Sequence, residues 1–134
     1  MSDRIKVLIV DDIPETRDHL SKLLGFEADV EVVGAAPGGP EAIQMAASVK
    51  PDVVLMDINM PKLNGMEATR RIKQLFPDIA VIGLSMHEDP KLEQLMYEAG
   101  ASVYLSKGTA FNIVCDTIRR VRSRDRRTQN SPVS

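Results

Sequence analysis

Two short apolar runs in this chain each stop on an aspartate. Ile5–Val10 (IKVLIV) leads into Asp11-Asp12, and the run DVVLM leads into Asp57. Both are β-branched and almost unbroken, as strands buried on both faces of a parallel sheet would be. Strands of such a sheet end at one common edge, where ligands bind. If the two strands are neighbours, three carboxylates share one small pocket. Such a cluster repels itself unless a cation sits in it. Oxygen-only ligands suit a hard ion such as Mg²⁺. A carboxylate beside that ion is also a nucleophile for phosphoryl groups.

The rest of the chain alternates strand and helix five times. Strands are predicted at Ile5–Val10, Val30–Ala35, Asp52–Asp57, Ile79–Ser85 and Ser102–Leu105. The first helix starts at Pro14 and stops near Gly25, with Ile13, Thr16, Leu20, Leu23 and Leu24 inward. Gly38-Gly39-Pro40 opens a second helix that buries Ala42, Ile43, Ala46 and Ala47, and Pro51 ends that connection. A loop with Pro61 and Asn64-Gly65 precedes a third, on Ala68, Ile72, Leu75 and Phe76, which Pro77 stops. Asp89-Pro90 caps a fourth, on Leu92, Leu95 and Met96, closed by Gly100. The fifth runs from about Thr109 to Val121 on Phe111, Val114, Cys115, Ile118 and Val121. Five such units imply an α/β fold, a parallel sheet with helices on both faces and right-handed crossovers. A doubly wound order 2-1-3-4-5 sets strands one and three side by side and brings Asp11, Asp12 and Asp57 together.

The length of 134 residues suits one domain with one core. We read residues 1–122 as that domain and 123–134 as a polar, Arg-rich tail or the start of a linker. A net charge of −2 favours neither nucleic acid nor a membrane, but it is unevenly spread. Residues 119–134 hold six arginines against Asp125, for +5, and leave −7 on the other 118 residues. That end reads as a solvated helix end complementing the helix dipole. The competing reading is contact with nucleic acid or an acidic partner, although no recognition helix is visible. A single cysteine, Cys115, excludes an internal disulfide framework, fits a reducing compartment and falls on a core stripe. No signal peptide and no membrane-spanning apolar run are expected. His19 and His87 lack partners at metal-ligand spacing, though His87 is a candidate proton-transfer group near the site.

Two more polar residues end strands at the aspartate edge: Ser85 after strand four and Lys107 just past strand five. With a dianionic phosphoryl group on Asp57, Mg²⁺ and Lys107 neutralise charge, and the Ser85 hydroxyl donates to a phosphoryl oxygen. Taken in order, VLIVDD (Val7–Asp12), PDVVLMDINMP (Pro51–Pro61), NGMEATRRIK (Asn64–Lys73), GLS (Gly83–Ser85) and GASVYLSKG (Gly100–Gly108) resemble the response-regulator receiver domains of two-component signalling. The resemblance covers about residues 3–122. It implies a flavodoxin-like (βα)5 fold. Asp57 would be the phosphoacceptor. Mg²⁺ would be held by Asp11, Asp12, Asp57 and the backbone carbonyl of Asn59. Ser85 and Tyr104 would be the switch pair and Lys107 the phosphate-binding lysine. The donor would be a phosphohistidine on a sensor histidine kinase, docking near Ile13, Pro14, Arg17, Asp18, Ser21 and Gly108. The surface of helix four, strand five and helix five would then change to regulate a partner or an output domain. The resemblance further implies a cytoplasmic protein with self-catalysed phosphorylation and dephosphorylation, not an enzyme in the usual sense. It leaves room for a homodimer on phosphorylation, and DNA would be reached only through an output domain outside this chain.

Departures from the commonest receiver pattern are local. Lys107-Gly108 replaces a frequent Lys-Pro, which disfavours a cis peptide. Together with VIGLSMHED it looks more like receivers that precede LuxR-type helix-turn-helix domains. Gly38-Gly39-Pro40 stands where a polar residue is more usual. Asn59 and His87 occupy the positions that, in the family, tune loss of the phosphoryl group. Two other classes compete. A haloacid-dehalogenase-like phosphatase would place its nucleophile in a DxD after the first strand, and Asp11-Asp12-Ile13 fits that poorly. A pure docking module would not need the intact acceptor and lysine.

Overall fold

The computed structural model describes residues 3–59, 65–86 and 88–130, with backbone alone over 123–130. The predicted loop through Pro61 and Asn64, residue His87 and the side chains of Arg124, Arg126 and Arg127 lie outside the described residues. Ten elements alternate along the chain: β1 (Ile5–Val10), α1 (Pro14–Gly25), β2 (Val30–Ala36), α2 (Gly39–Val49), β3 (Val53–Asp57), α3 (Gly65–Leu75), β4 (Ala80–Ser85), α4 (Pro90–Ala99), β5 (Val103–Ser106) and α5 (Phe111–Asn130). The five strands form one parallel sheet in the order 2-1-3-4-5.

Alternation along the central strands explains the layering. Val7, Ile9, Val53, Leu55 and Ile82 face one side, against Leu24 of α1 and Val114, Cys115, Ile118 and Val121 of α5. Leu8, Val10, Val54, Met56 and Val81 face the other, against Ala42 and Ala46 of α2 and Ala68 and Ile72 of α3. The α4 helix rests on a smaller third cluster, in which Met96 meets Ile58 and Ala101, with Tyr104 packed at its margin. Gly83 leaves room for this: a Cβ there would lie 2.8 Å from the Met96 methyl. Burial of the Cys115 thiol pushes its pKa up, which leaves it an inert core group.

Some inward assignments do not hold. Leu75 is 59% exposed; it lies about 60° round the helix from Ile72, on the far side from Phe76. Ile13 is exposed because it is the N-cap, outside the helical register of α1. Ala47 and Leu95 are exposed at the margins of their stripes. The Asp89 cap is as read: its carboxylate accepts from the N–H groups of Lys91 and Leu92. Gly100 ends α4 at φ +113°, a conformation that favours glycine. The apolar stripe of α5 ends at Val121, yet its backbone continues as helix to Asn130. No Gly or Pro interrupts Phe111–Asn130, and arginine is a good helix former.

The first arginine of the basic end is tied to the body. The guanidinium of Arg119 donates to Asp29 at 2.7 Å and Glu27 at 2.8 Å, and to Asp116 at 3.2 Å. These bonds join α5 to the α1–β2 corner, and Arg122 adds a bond to Asp3 at 2.8 Å. The bond from Arg119 holds the Asp29 carboxyl below its ordinary range. A depressed carboxylate stabilises the fold above its unfolded pKa, and that contribution fades as pH falls through the folded value. Because the group is partly exposed, Arg119→Ala should cost only about 1 kcal/mol at neutral pH. Urea unfolding should show the deficit, and it should shrink in high salt and at acid pH.

Candidate functional site

Strand register assembles the site. Val10 pairs with Met56, so the residues that follow, Asp11 and Asp57, leave the sheet side by side. Asp57 pairs with Leu84 and Ser85 with Ser106, which brings Ser85 and Lys107 to the same edge. The N–H of Lys107 donates to the Ser85 carbonyl at 2.8 Å, fixing the β5–α5 turn beside the aspartates. The carboxylates of Asp11, Asp12 and Asp57 each offer an oxygen, all within 4.8 Å of one another. Asp11 and Asp57 are 2% and 1% exposed, while Asp12 is the one that reaches solvent.

Each carboxylate oxygen in the buried pair has a distinct environment. Asp11 Oδ1 accepts the Ile13 N–H at 2.9 Å, which orders the turn into α1. Asp57 Oδ1 accepts the Asn59 N–H at 2.9 Å. Lys107 Nζ reaches between the two, 3.2 Å from Asp11 Oδ2 and 3.2 Å from Asp57 Oδ1. Asp57 Oδ2 is buried without a hydrogen-bond partner among the described residues. An orphaned carboxylate oxygen is costly in a protein interior. Among the described residues, Lys107 is the one cationic side chain that contacts these carboxylates, three acids share that single ammonium, and the donor set is all oxygen. Those features fit a small divalent cation.

Burial pushes the Asp57 carboxyl above its usual range; the Asn59 N–H opposes this, the Asp11 charge adds to it, and Lys107 pulls the other way. For Lys107, burial works against the charged form, but Asp57 and Asp11 outweigh it and hold the ammonium above its usual pKa. A carboxyl with a raised folded-state pKa binds protons more readily folded than unfolded. Stability of the cation-free chain therefore falls as pH rises from the unfolded carboxylate pKa through the raised one. A cation between the carboxylates removes that penalty. Mg²⁺ at ten times its Kd should add about 1.4 kcal/mol at neutral pH. Thermal melts with and without Mg²⁺ should show this gain fading as the solution is taken into the carboxylate range. A gain that does not change with pH would place the ion elsewhere.

Ser85 is fully buried at the end of β4. Tyr104 is half-buried on the α4 side of β5. Among the residues expected to receive a partner, Ile13, Pro14, Asp18 and Gly108 are exposed and Ser21 is half-buried. Arg17 differs, because its guanidinium donates to the Asp11 carbonyl at 2.7 Å. The Lys107–Gly108 link is trans, as no cis peptide bond occurs among the described residues. A cavity of about 270 Å³ opens between α1 and α5, with Asp11, His19 and Lys107 among its lining residues.

Three features were not read from the sequence. The Asn59 side chain accepts the Met86 N–H at 2.9 Å and so ties the β3 end to the segment after Ser85. Thr69 and Thr117 are buried polar residues on helices, each bonded to a carbonyl one turn back at 2.7 Å. Gly65 is needed for close approach: a Cβ there would overlap the Asp57 carbonyl oxygen. The helix pattern carried a faint sign of the threonines, which fall among apolar neighbours. Nothing local signalled the Asn59 bond.

Among known families, the model described as response regulator receiver domain matches residues 7–119. The transcriptional regulatory protein DegU of Brevibacillus brevis is 37% identical over 119 residues, covering 89% of this chain and 50% of DegU. The response regulator GacA of Pseudomonas syringae pv. syringae is 38% identical, covering 87% of this chain and 55% of GacA. The chain thus spans about half the length of these curated relatives. The response regulator domain of Thermotoga maritima CheB superimposes with a TM-score of 0.82 at 32% identity, covering 90% of this chain and 97% of that one. A LuxR-family two-component response regulator from Aurantimonas sp. SI85-9A1 gives 0.85 at 28% identity, covering 90% and 86%. Among the described residues no helix is long and apolar enough to cross a membrane.

Proposed function

Since this chain belongs to the response regulator receiver domain family, whose members are generally signalling domains of two-component systems, we propose that it is a phosphorylation-controlled switch with Asp57 as the acceptor. The observation that carries this reading is the Asp57 carboxylate itself. It is buried beside Asp11 and bridged by Lys107, and its Oδ2 has no hydrogen-bond partner among the described residues. In the proposed reaction, Asp57 Oδ2 attacks the phosphorus of a phosphohistidine on a sensor kinase. The P–N bond breaks, and the imidazole leaves with a proton. Lys107 neutralises charge on the transferred group. Asp11, Asp12, Asp57 and the backbone carbonyl of Asn59 would hold Mg²⁺. When bound, that ion supplies electrostatic stabilisation of the phosphoryl oxygens.

Ser85 then donates its hydroxyl to a phosphoryl oxygen, and Tyr104 follows into the space released. The surface of α4, β5 and α5 changes as a result. This biases an existing equilibrium between two arrangements. Phosphorylation and its hydrolysis are self-catalysed at Asp57, with no separate substrate. The receiver unit comprises residues 1–122, and residues 123–134 form a polar, Arg-rich tail or the start of a linker. The likeness to LuxR-family regulators supports transcription as the output, with DNA bound by a further domain and with homodimerisation of the phosphorylated form. Ile13, Pro14, Asp18, Ser21 and Gly108 form the proposed kinase-docking patch, and the setting is cytoplasmic. Incubation with acetyl phosphate should give one phosphoryl adduct by intact mass, and only with Mg²⁺ present. The absence of both an adduct and Mg²⁺-dependent beryllofluoride binding would remove the reading.

A further inference from the structure

Arg17 lies one turn into α1, the helix where the receiver resemblance places kinase docking. Its geometry points elsewhere. The guanidinium turns back along the helix and donates to the backbone carbonyl of Asp11 at 2.7 Å. Every other polar group of Asp11 is also committed: its N–H to the Ala36 carbonyl at 3.1 Å, Oδ1 to the Ile13 N–H, and Oδ2 to Lys107. Asp11 is therefore held from four sides, and Arg17 supplies the hold on the peptide that joins Asp11 to Asp12. Without the guanidinium, that carbonyl would be a further negative pole beside three carboxylates. The 11–12 peptide would lose this tether and keep only the Asp11 Oδ1–Ile13 N–H bond across it.

We propose that Arg17 is a positioning residue of the cation site. It fixes the 11–12 peptide so that both carboxylates face Asp57, and it places positive charge behind the acidic cluster. Groups that orient a metal ligand without touching the metal commonly change affinity tenfold or more when removed. The inference rests on the Mg²⁺ reading given above.

The test is Mg²⁺ affinity measured by calorimetry, which needs neither kinase nor phosphoryl donor. Arg17→Met keeps the packed stem and removes the donor; Arg17→Lys restores a donor and the charge. Arg17→Met should raise the Kd for Mg²⁺ about tenfold, with little change in the melting temperature of the Mg²⁺-free chain. Arg17→Lys should recover most of that loss. Phosphorylation by acetyl phosphate should slow in step with Mg²⁺ affinity at subsaturating ion. Unchanged affinity in Arg17→Met would overturn the proposal and return Arg17 to a docking role. A loss that Arg17→Lys does not recover would also overturn it, including the case in which Arg17→Met lowers the melting temperature through general disruption. If the parent chain binds no Mg²⁺, the metal reading itself fails, which is a different result.

Discussion

Asp57→Asn is expected to abolish acceptance of a phosphoryl group, lowering its rate by at least on the order of 10³. The amide nitrogen that replaces one carboxylate oxygen has no lone pair available for attack, and the remaining oxygen is a poor nucleophile. Lys107 would keep its contact with Asp11 at 3.2 Å, so the site should survive otherwise intact. Stability should move the opposite way. The substitution removes a desolvated charge from beside Asp11, and that should stabilise the Mg²⁺-free chain by about 1 kcal/mol or more at neutral pH. As the parent Asp57 takes up its proton on acidification, the difference between the two chains should close. Intact mass after acetyl phosphate and paired thermal melts at two pH values check both statements. An adduct at the parental rate in the variant would move the acceptor elsewhere.

Gly65→Ala should be the most damaging conservative change outside the aspartates. A Cβ at this position would overlap the Asp57 carbonyl oxygen and lie 2.8 Å from Ile58 Cα. Both neighbours are backbone, so neither can turn aside as the end of a side chain would. Alanine's better helix propensity, up to about 1 kcal/mol, opposes the clash, but Gly65 is the first residue of α3, where propensity counts least. Overpacking of about 1–3 kcal/mol should win. Relief requires either the first turn of α3 to lift or the end of β3 to shift. The second route displaces Asp57, and misplacement of a reacting group by about 1 Å can cost 10²-fold in rate. Urea unfolding should show the lost stability, and the acetyl phosphate reaction should slow by ten- to a hundredfold. Parental stability together with parental rate would show that the α3 start is more yielding than this geometry allows.

Much of the molecule was legible along the chain because its signals are local. The β-branched runs, the Pro starts of α1 and α4, the Asp89 cap and Gly100 each act within a few residues. They place the elements to within one or two residues, apart from α5. That helix outran its apolar stripe because helix propensity continues where packing stops. The strand order was legible in part: gathering Asp11, Asp12 and Asp57 requires only that β1 and β3 be neighbours, and the places of the other strands came with the resemblance to receiver domains.

The chain by itself settled which residue types reach the common edge, since the end of a buried strand fixes that edge. Distances across the edge were decided by the tertiary structure. Lys107 could have been a solvated lysine; the Ser85–Ser106 register carries it between two buried carboxylates. Arg17 was named only as a docking residue by the receiver resemblance; α1 packed on the sheet brings its guanidinium onto the Asp11 carbonyl. Arg119 looked like part of a free basic end until α5 met the α1–β2 corner. Long polar side chains have many rotamers and no periodic signature. Their partners are chosen only when packed elements bring distant backbone and charge within reach.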